Sequence, residues 1–164
     1  MSDTKVTMTE VERATLEGVA RHRNLYLSTG GREGHILDYR QLGGHRFTTC
    51  LLIETTGRKS GERRVTPLIY GDTGGEVVIV ASKGGADVHP AWYFNILEMS
   101  EVVIQIGSQA FRCTWRIPDG VEREAIWAFM EDLYPPYRDY QAATERLIPI
   151  VMFQPGEEIP VLDL

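Results

Sequence analysis

The sequence predicts one α+β domain, mainly β, in which antiparallel strands form a closed or half-closed barrel with flanking helices. The 164 residues are enough for one core, and contents of 43% apolar and 24% charged residues are globular values. Strand-like segments mostly follow one another directly, whereas a parallel sheet would alternate them with helices. No repeat, linker or low-complexity stretch divides the chain, so we treat it as a single domain.

A helical segment at 1–40 is predicted to precede the barrel at 41–164. Its helix spans 10–27, with Val19 and Leu25 among the apolar residues loosely sharing one side. Because this stripe is weak and lacks a clean basic face, we expect the helix to dock on its own domain. Contact with the inner face of the membrane stays open as an alternative.

The first predicted hairpin joins Thr48–Thr56, which is rich in β-branched residues, to a strand at 65–71. A turn signal at 72–75 then leads into EVVIVAS (76–82), whose continuous apolar run is typical of a strand buried on both faces.

A helix is predicted over 90–99, and a second hairpin follows at 102–117 with its turn at Gly107-Ser108. Asp119 and Glu122 have the spacing of a capping box at the start of the next helix. Pro135-Pro136 ends that helix, and a further helix to about Leu147 precedes the strand-like IPIVMF.

The charge of the chain is unevenly distributed. There are 23 Asp and Glu against 17 Lys and Arg, so the formal net charge is −6, and this average field argues against binding nucleic acid. Four basic residues nevertheless fall within seven positions of the loop GRKSGERR: Arg58, Lys59, Arg63 and Arg64. Guanidinium groups suit phosphate and carboxylate, so this loop is a candidate anion site; a solvated turn is the alternative.

The remaining features narrow the compartment and the chemistry. Cys50 and Cys113 lie in apolar runs, as expected of reduced, buried thiols in a reducing cytosol. No stretch reaches the ~18 apolar residues of a membrane span, and the N-terminus lacks the apolar core of a secretory signal, so we expect a cytoplasmic protein. The four histidines lack metal-ligand spacing, and no Walker loop or G-x-S-x-G elbow is present. No protein metal site is therefore predicted.

Two further segments carry candidate chemistry. ASKGG (81–85) ends the most apolar strand with backbone amides, a hydroxyl and an ammonium that could cradle a flat heterocycle or a phosphate, or could form a plain turn. YPPYRDYQ (134–141) has three tyrosines in seven residues, which could line an apolar cavity and still donate hydrogen bonds. An aromatic packing cluster is the alternative interpretation.

Together, TTGRKSGERRVTPLIYG, VVIVASKGGADVHPAWYFNIL and YPPYRDYQAATERLIPIV resemble the deazaflavin-dependent nitroreductase family. The resemblance covers roughly 42–151. It implies a split β-barrel related to FMN-binding, pyridoxamine-oxidase-like proteins, and an oxidoreductase that uses reduced coenzyme F-420. The implied reaction is hydride transfer to a small acceptor: a quinone, a conjugated enone or a nitroaromatic compound.

The resemblance also implies site residues. The phosphate and glutamate tail of coenzyme F-420 would lie on Arg58, Lys59, Ser60 and Arg64; Arg63 matches less well, because the motif's arginine directly precedes V-T-P. The acceptor side would be lined by Tyr134, Tyr137, Tyr140 and Ser82. His89 stands at a variable position near the pocket mouth. The residues implied to border the deazaflavin ring are Thr66, Pro67, Ala81, Ser82, Lys83, Gly84 and Trp92.

Three alternatives stay open at this point. One is an FMN-dependent oxidoreductase on the same barrel. Another is a non-catalytic carrier of coenzyme F-420 or haem. A hairpin that binds nucleic acid through the basic loop fits the acidic chain least. Split-barrel relatives are often dimers, so a homodimer is also left open.

Overall fold

The computed structural model describes residues 16–164, and an eight-stranded antiparallel sheet is the centre of this part of the chain. The strand order is β1-β2-β6-β7-β8-β5-β4, and β3 pairs with β2. The strands are β1 (Ile36–Leu37), β2 (Thr48–Thr56), β3 (Arg63–Ile69), β4 (Gly71–Asp72), β5 (Val77–Val80), β6 (Val102–Ile106), β7 (Gln109–Arg116) and β8 (Ile150–Ile159).

Four α-helices flank the described sheet, and the predicted mainly-β architecture with flanking helices is confirmed. Both predicted hairpins are present, as β2–β3 and β6–β7. The sheet also has two strands of two residues each that the sequence did not indicate, β1 and β4. The helices are α1 (Leu16–Ser28), α2 (Ala91–Ile96), α3 (Gly120–Leu133) and α4 (Pro136–Ala142).

Strand β2 is buried on both faces because the sheet separates distinct cores. Leu51 and Ile53 belong to the largest core cluster, which α2 also enters through Trp92 and Ile96. Leu52, on the opposite face, packs with α1. Successive side chains of a strand point to opposite faces, so its unbroken apolar run fits this two-sided burial.

Strand β8 completes the sheet by pairing with both β7 and β5. It continues to Ile159, six residues beyond the end of the predicted IPIVMF strand. The extension pairs with β7 as far as Ala110↔Ile159. The sheet is thus joined by pairings between segments far apart in sequence.

The buried side of α1 differs from the predicted one. Tyr26 and His22 are buried, whereas Val19 is 36% exposed. The Tyr26 hydroxyl donates to the carbonyls of Cys50 and Gln105 at 3.1 and 3.2 Å and accepts from the Gly107 amide at 2.7 Å. A polar anchor therefore orients this helix, which a hydrophobic stripe does not reveal. The predicted helix residues before 16 lie outside the described part of the chain.

Two local predictions at the other helices were wrong. Asp119 is the N-cap residue of α3 by position, but its side chain makes no cap hydrogen bond. Glu122 instead pairs with Arg116 at 2.7 Å, which replaces the capping box. Helix α4 ends at Ala142 and not near Leu147, because the Gln141 side chain bonds the Arg146 carbonyl and the Ile148 amide and holds the chain in a turn.

Both cysteines are free and buried, as predicted. No helix within residues 16–164 is long and apolar enough to cross a membrane.

Candidate active site

Two adjoining cavities contain most of the predicted site residues. The smaller, about 270 Å³, is lined by the basic loop, and we call it the cationic cavity. The larger, about 620 Å³, has aromatic and aliphatic walls, and we call it the aromatic cavity. Thr66 and Trp92 line both, so the two cavities meet at these side chains.

The cationic cavity owes its shape to the tight turn between β2 and β3. The Gly57 amide donates to the Glu62 carbonyl, and the Gly61 amide donates to the Gly57 carbonyl, both at 2.8 Å. The Ser60 hydroxyl oxygen accepts from the Glu62 amide at 3.1 Å. Gly61 has φ +72°, a value that glycine adopts at little cost.

The cationic side chains are exposed at the mouth of this turn. Arg58, Lys59 and Arg64 all line the cavity. Arg64 pairs with Glu62 at 3.1 Å, but both side chains are exposed, and such a surface pair is worth little. An incoming anion can therefore compete for Arg64. Arg63 is held elsewhere, by Glu54 and the Asp163 carbonyl.

A buried amide ties the basic loop to α2. The Arg58 amide donates to Asn95 Oδ1 at 3.0 Å, and Asn95 Nδ2 donates to the Thr55 hydroxyl at 3.1 Å. The Arg58 guanidinium lies 4.7 Å from the Phe94 ring centroid, within cation–π range. These contacts fix the Arg58 backbone beside α2 and place its guanidinium against Phe94.

The turn after β5 forms one wall of the aromatic cavity through Ser82, Lys83 and Gly84. Ser82 has a right-handed helical backbone conformation, whereas Lys83 has φ +47° and Gly84 has φ +64°, in the left-handed region. A right-handed residue followed by a left-handed one turns consecutive amides toward one concave side, which suits electronegative ligand atoms. A left-handed conformation at a non-glycine residue costs roughly 1–2 kcal/mol, so the surroundings must hold Lys83 in place.

Three tyrosines form a further part of the wall of the aromatic cavity. Tyr134 follows α3, and Tyr137 and Tyr140 lie three residues apart on α4, where spacing places them on one face. The Tyr134 and Tyr137 ring centroids are 5.0 Å apart, and the Tyr134 and Tyr140 hydroxyl oxygens are 3.4 Å apart. Pro136 at the start of α4 fixes the bend that brings the three rings together.

Burial favours the protonated form of the Tyr137 hydroxyl. Desolvation, with a smaller contribution from Tyr134, raises the pKa of Tyr137 well above its ordinary value. A tyrosine of ordinary pKa is already protonated at neutral pH, and this shift extends the protonated range of Tyr137 further into the alkaline region.

The comparison with known proteins assigns the family. The sequence model of the F420H(2)-dependent quinone reductase family matches residues 20–155. An F420H(2)-dependent quinone reductase of Mycobacterium tuberculosis is 34% identical over 134 residues, which cover 80% of this chain and 85% of that protein. The chain belongs to the F420H(2)-dependent quinone reductase family.

Solved structures agree with this quinone reductase family. An F420-H2 dependent reductase has 42% identity and a TM-score of 0.59, and the match covers 64% of this chain and 93% of that one. A structure described as a domain-swapped dimer has the same identity and TM-score, with 64% and 79% covered. The haem storage protein HutZ of Vibrio cholerae, at 11% identity, TM-score 0.52 and coverage of 68% and 85%, shares the fold alone. The split-barrel prediction is confirmed.

In this quinone reductase family member, the residues implied for the tail, the ring and the acceptor line the two cavities, except Ala81, which is fully buried. His89, expected near the pocket mouth, lines neither cavity, and its Nδ1 lies 2.8 Å from Arg146 Nη1. The sequence did not single out Asn95, nor the additional wall residues Tyr39 and His22. The sequence signal for Asn95 was its position as an asparagine within an aromatic-rich helical segment. No sequence signal pointed to Tyr39 or His22.

Proposed function

We propose that this protein transfers hydride from reduced coenzyme F-420 to quinones, with conjugated enones and nitroaromatic compounds as further acceptors. The observation that carries this proposal is the junction of the cationic and aromatic cavities at Thr66 and Trp92. A ligand with an anionic tail and a flat ring matches that junction in both charge and shape. The family supports the choice of the deazaflavin over other ligands of this kind.

The basic loop suits the anionic end of the cofactor. Arg58, Lys59 and Arg64 would bind phosphate and carboxylate oxygens, with Ser60 beside them. A neighbouring cavity of about 350 Å³ is lined by two carboxylates and two guanidinium groups, whereas the lining of the cationic cavity has three cations and no carboxylate. Charge thus favours the cationic cavity as the tail site.

The junction and the turn after β5 suit the ring end. Thr66, Pro67 and Trp92 would contact the ring from one side, and Ser82, Lys83 and Gly84 would border it from the other. When bound there, reduced coenzyme F-420 supplies the hydride. Ala81 precedes this turn and is fully buried, and its place beside the ring stays a prediction.

The tyrosine wall would orient the acceptor and stabilise charge on its oxygen. The protonated Tyr137 hydroxyl can donate to an acceptor carbonyl as negative charge develops there. Tyr134 and Tyr140 share a hydroxyl contact at 3.4 Å that helps fix the wall, and Ser82 lies at its edge. A hydrogen bond made in apolar surroundings is stronger than one made in water, and the aromatic and aliphatic lining favours this contact.

Anaerobic stopped-flow mixing with reduced coenzyme F-420 and menadione tests the reaction. We expect the deazaflavin absorbance to return only when protein and quinone are both present. Binding without acceleration would identify a carrier and contradict the proposal. A yellow purified protein with a bound-flavin spectrum, inactive with coenzyme F-420, would instead support the FMN-dependent alternative.

Replacing Tyr137 with phenylalanine should separate catalysis from cofactor binding. The ring that packs against Tyr134 stays, whereas the hydroxyl donor is lost. We expect turnover with menadione to fall by about a hundred- to a thousand-fold, as for loss of one donor to a developing oxyanion. The Kd for coenzyme F-420, measured by fluorescence titration, should change less than about two-fold. Equal losses in both quantities would refute the division of roles.

A homodimer and a cytoplasmic location stay predictions. A related structure described as a domain-swapped dimer supports the first. Light scattering coupled to size-exclusion chromatography will measure the mass in solution, and a monomer over the whole micromolar range would contradict it.

A further inference from the structure

One arginine holds the backbone of the turn that borders the aromatic cavity. Arg146 Nη2 donates to the Ser82 carbonyl at 2.7 Å, and Nε donates to the Ala86 carbonyl at 2.6 Å. Nη1 lies 3.3 Å from the Ala81 carbonyl and 2.8 Å from His89 Nδ1. A single half-buried guanidinium thus binds both ends of the segment 81–89.

This arrangement needs the shape of a guanidinium. Its donors form a rigid planar fork, so one group can reach several carbonyls in fixed directions. The ammonium of lysine would be a point charge on a flexible stem and could not span the same set. The role is therefore specific to arginine and is not merely a positive charge.

Arg146 is itself fixed to the tyrosine helix. The Gln141 side chain, on α4, donates to the Arg146 carbonyl at 2.8 Å, and the Arg146 amide donates to the Thr144 hydroxyl at 3.3 Å. The turn also touches α4 directly, because a Cβ placed on Gly85 would lie 2.9 Å from the Tyr140 carbonyl oxygen. Arg146 therefore connects the ring-side turn to the acceptor-side helix.

The left-handed backbone at Lys83 lies between the carbonyls that Arg146 binds. A strained conformation persists only where the surroundings hold it. The guanidinium contacts on both sides of Lys83 provide such a restraint, and they keep the amides of the turn directed toward the cavity.

We propose that Arg146 is a positioning residue that fixes the turn 81–86 against the tyrosine helix, and so shapes the ring-binding end of the site. The proposal rests on the proposed function, since it assumes that the deazaflavin ring binds there. It concerns the ring end alone, because Arg146 contacts no residue of the basic loop through the bonds described above.

The test compares two probes: coenzyme F-420 and the deazaflavin riboside that lacks phosphate and tail. Arg146→Lys and Arg146→Gln are measured beside Arg138→Gln, which removes a nearby arginine of α4 whose side chain is 78% exposed. Fluorescence titration gives the Kd for each probe, and the visible spectrum of the bound probe reports the ring's surroundings. Circular dichroism and thermal unfolding confirm that each variant is folded.

For both Arg146 variants we expect the Kd of each probe to rise by about ten-fold or more, since charge-assisted hydrogen bonds are lost. The spectral shift on binding should change, and Arg138→Gln should behave as the wild type. If Arg146→Gln does not fold, the Kd values of Arg146→Lys test the proposal, because lysine retains an aliphatic stem and the positive charge. Folded variants with wild-type affinity, or a loss confined to the tailed cofactor, would overturn the proposal. Wild-type protein that binds neither probe would instead refute the proposed function.

Discussion

Replacing Arg58 and Lys59 together with alanine should raise the Kd for coenzyme F-420 by about 100-fold while leaving the riboside's Kd unchanged. Each cation is exposed at the mouth of the cationic cavity, so binding an anion there requires little desolvation. A contact worth about 1.4 kcal/mol corresponds to ten-fold in affinity, and two such losses give the expected factor. Isothermal titration measures both constants.

Arg63→Ala is the matched control, because it removes a cation from the same loop. Arg63 is held by Glu54 and the Asp163 carbonyl and is not part of the cationic cavity. The Kd of the Arg63→Ala variant for coenzyme F-420 should stay within about two-fold of the wild-type value. Added salt should weaken wild-type binding more than that of the double variant, since charged contacts are screened. A double variant that binds the tailed cofactor like wild type would remove the basis for the tail site.

The second large effect is expected for Gly85→Ala, on both stability and ring binding. Gly85 has φ +84°, and a Cβ there would lie 2.9 Å from the Tyr140 carbonyl oxygen and 3.0 Å from its Cα. A left-handed alanine costs roughly 1–2 kcal/mol, and overpacking against backbone adds about 1–3 kcal/mol. We expect the free energy of unfolding to fall by about 3 kcal/mol, which lowers the Tm by roughly 6–12 °C.

The variant Gly84→Ala separates the cost of the left-handed backbone from the cost of overpacking against α4. Gly84 is also left-handed, at φ +64°, but a Cβ there meets nothing within 4 Å. It should lose only the conformational part, about 1–2 kcal/mol. Thermal and urea unfolding of both variants measures the difference, and equal losses would show that the contact with α4 contributes nothing. The folded Gly85→Ala fraction should also bind the riboside more weakly than Gly84→Ala, because its turn is displaced from α4.

Local sequence signals predicted the hairpins well. The strand Thr48–Thr56 was predicted at its observed bounds because β-branched residues run up to Gly57, and the turn at Gly107-Ser108 has a plain glycine signal. The short strands β1 and β4 were not predicted, because a segment of two residues shows no hydrophobic periodicity. The capping box failed because Arg116, six residues before Glu122, offered that carboxylate a stronger partner.

The candidate site was predicted only in part, and that prediction rested on long family motifs and not on local periodicity. Long motifs identified the basic loop, the turn after β5 and the tyrosines, which the fold then brings together around two cavities. The residues that hold those segments, Asn95 and Arg146, act on partners 37 to 65 positions away. Such contacts follow from tertiary structure and leave no local pattern in the sequence.

The position of β8 has a consequence for how the protein is made. A chain is synthesised from its N-terminus, and β8 leaves the ribosome after the seven other described strands, yet it pairs with both β7 and β5. Until it arrives, the nascent chain carries two open strand edges, each able to pair with other chains. Closing such distant pairings is also slow. We therefore expect assembly of the barrel to follow, and not accompany, synthesis of its first seven strands, with chaperones protecting the open edges in the interval.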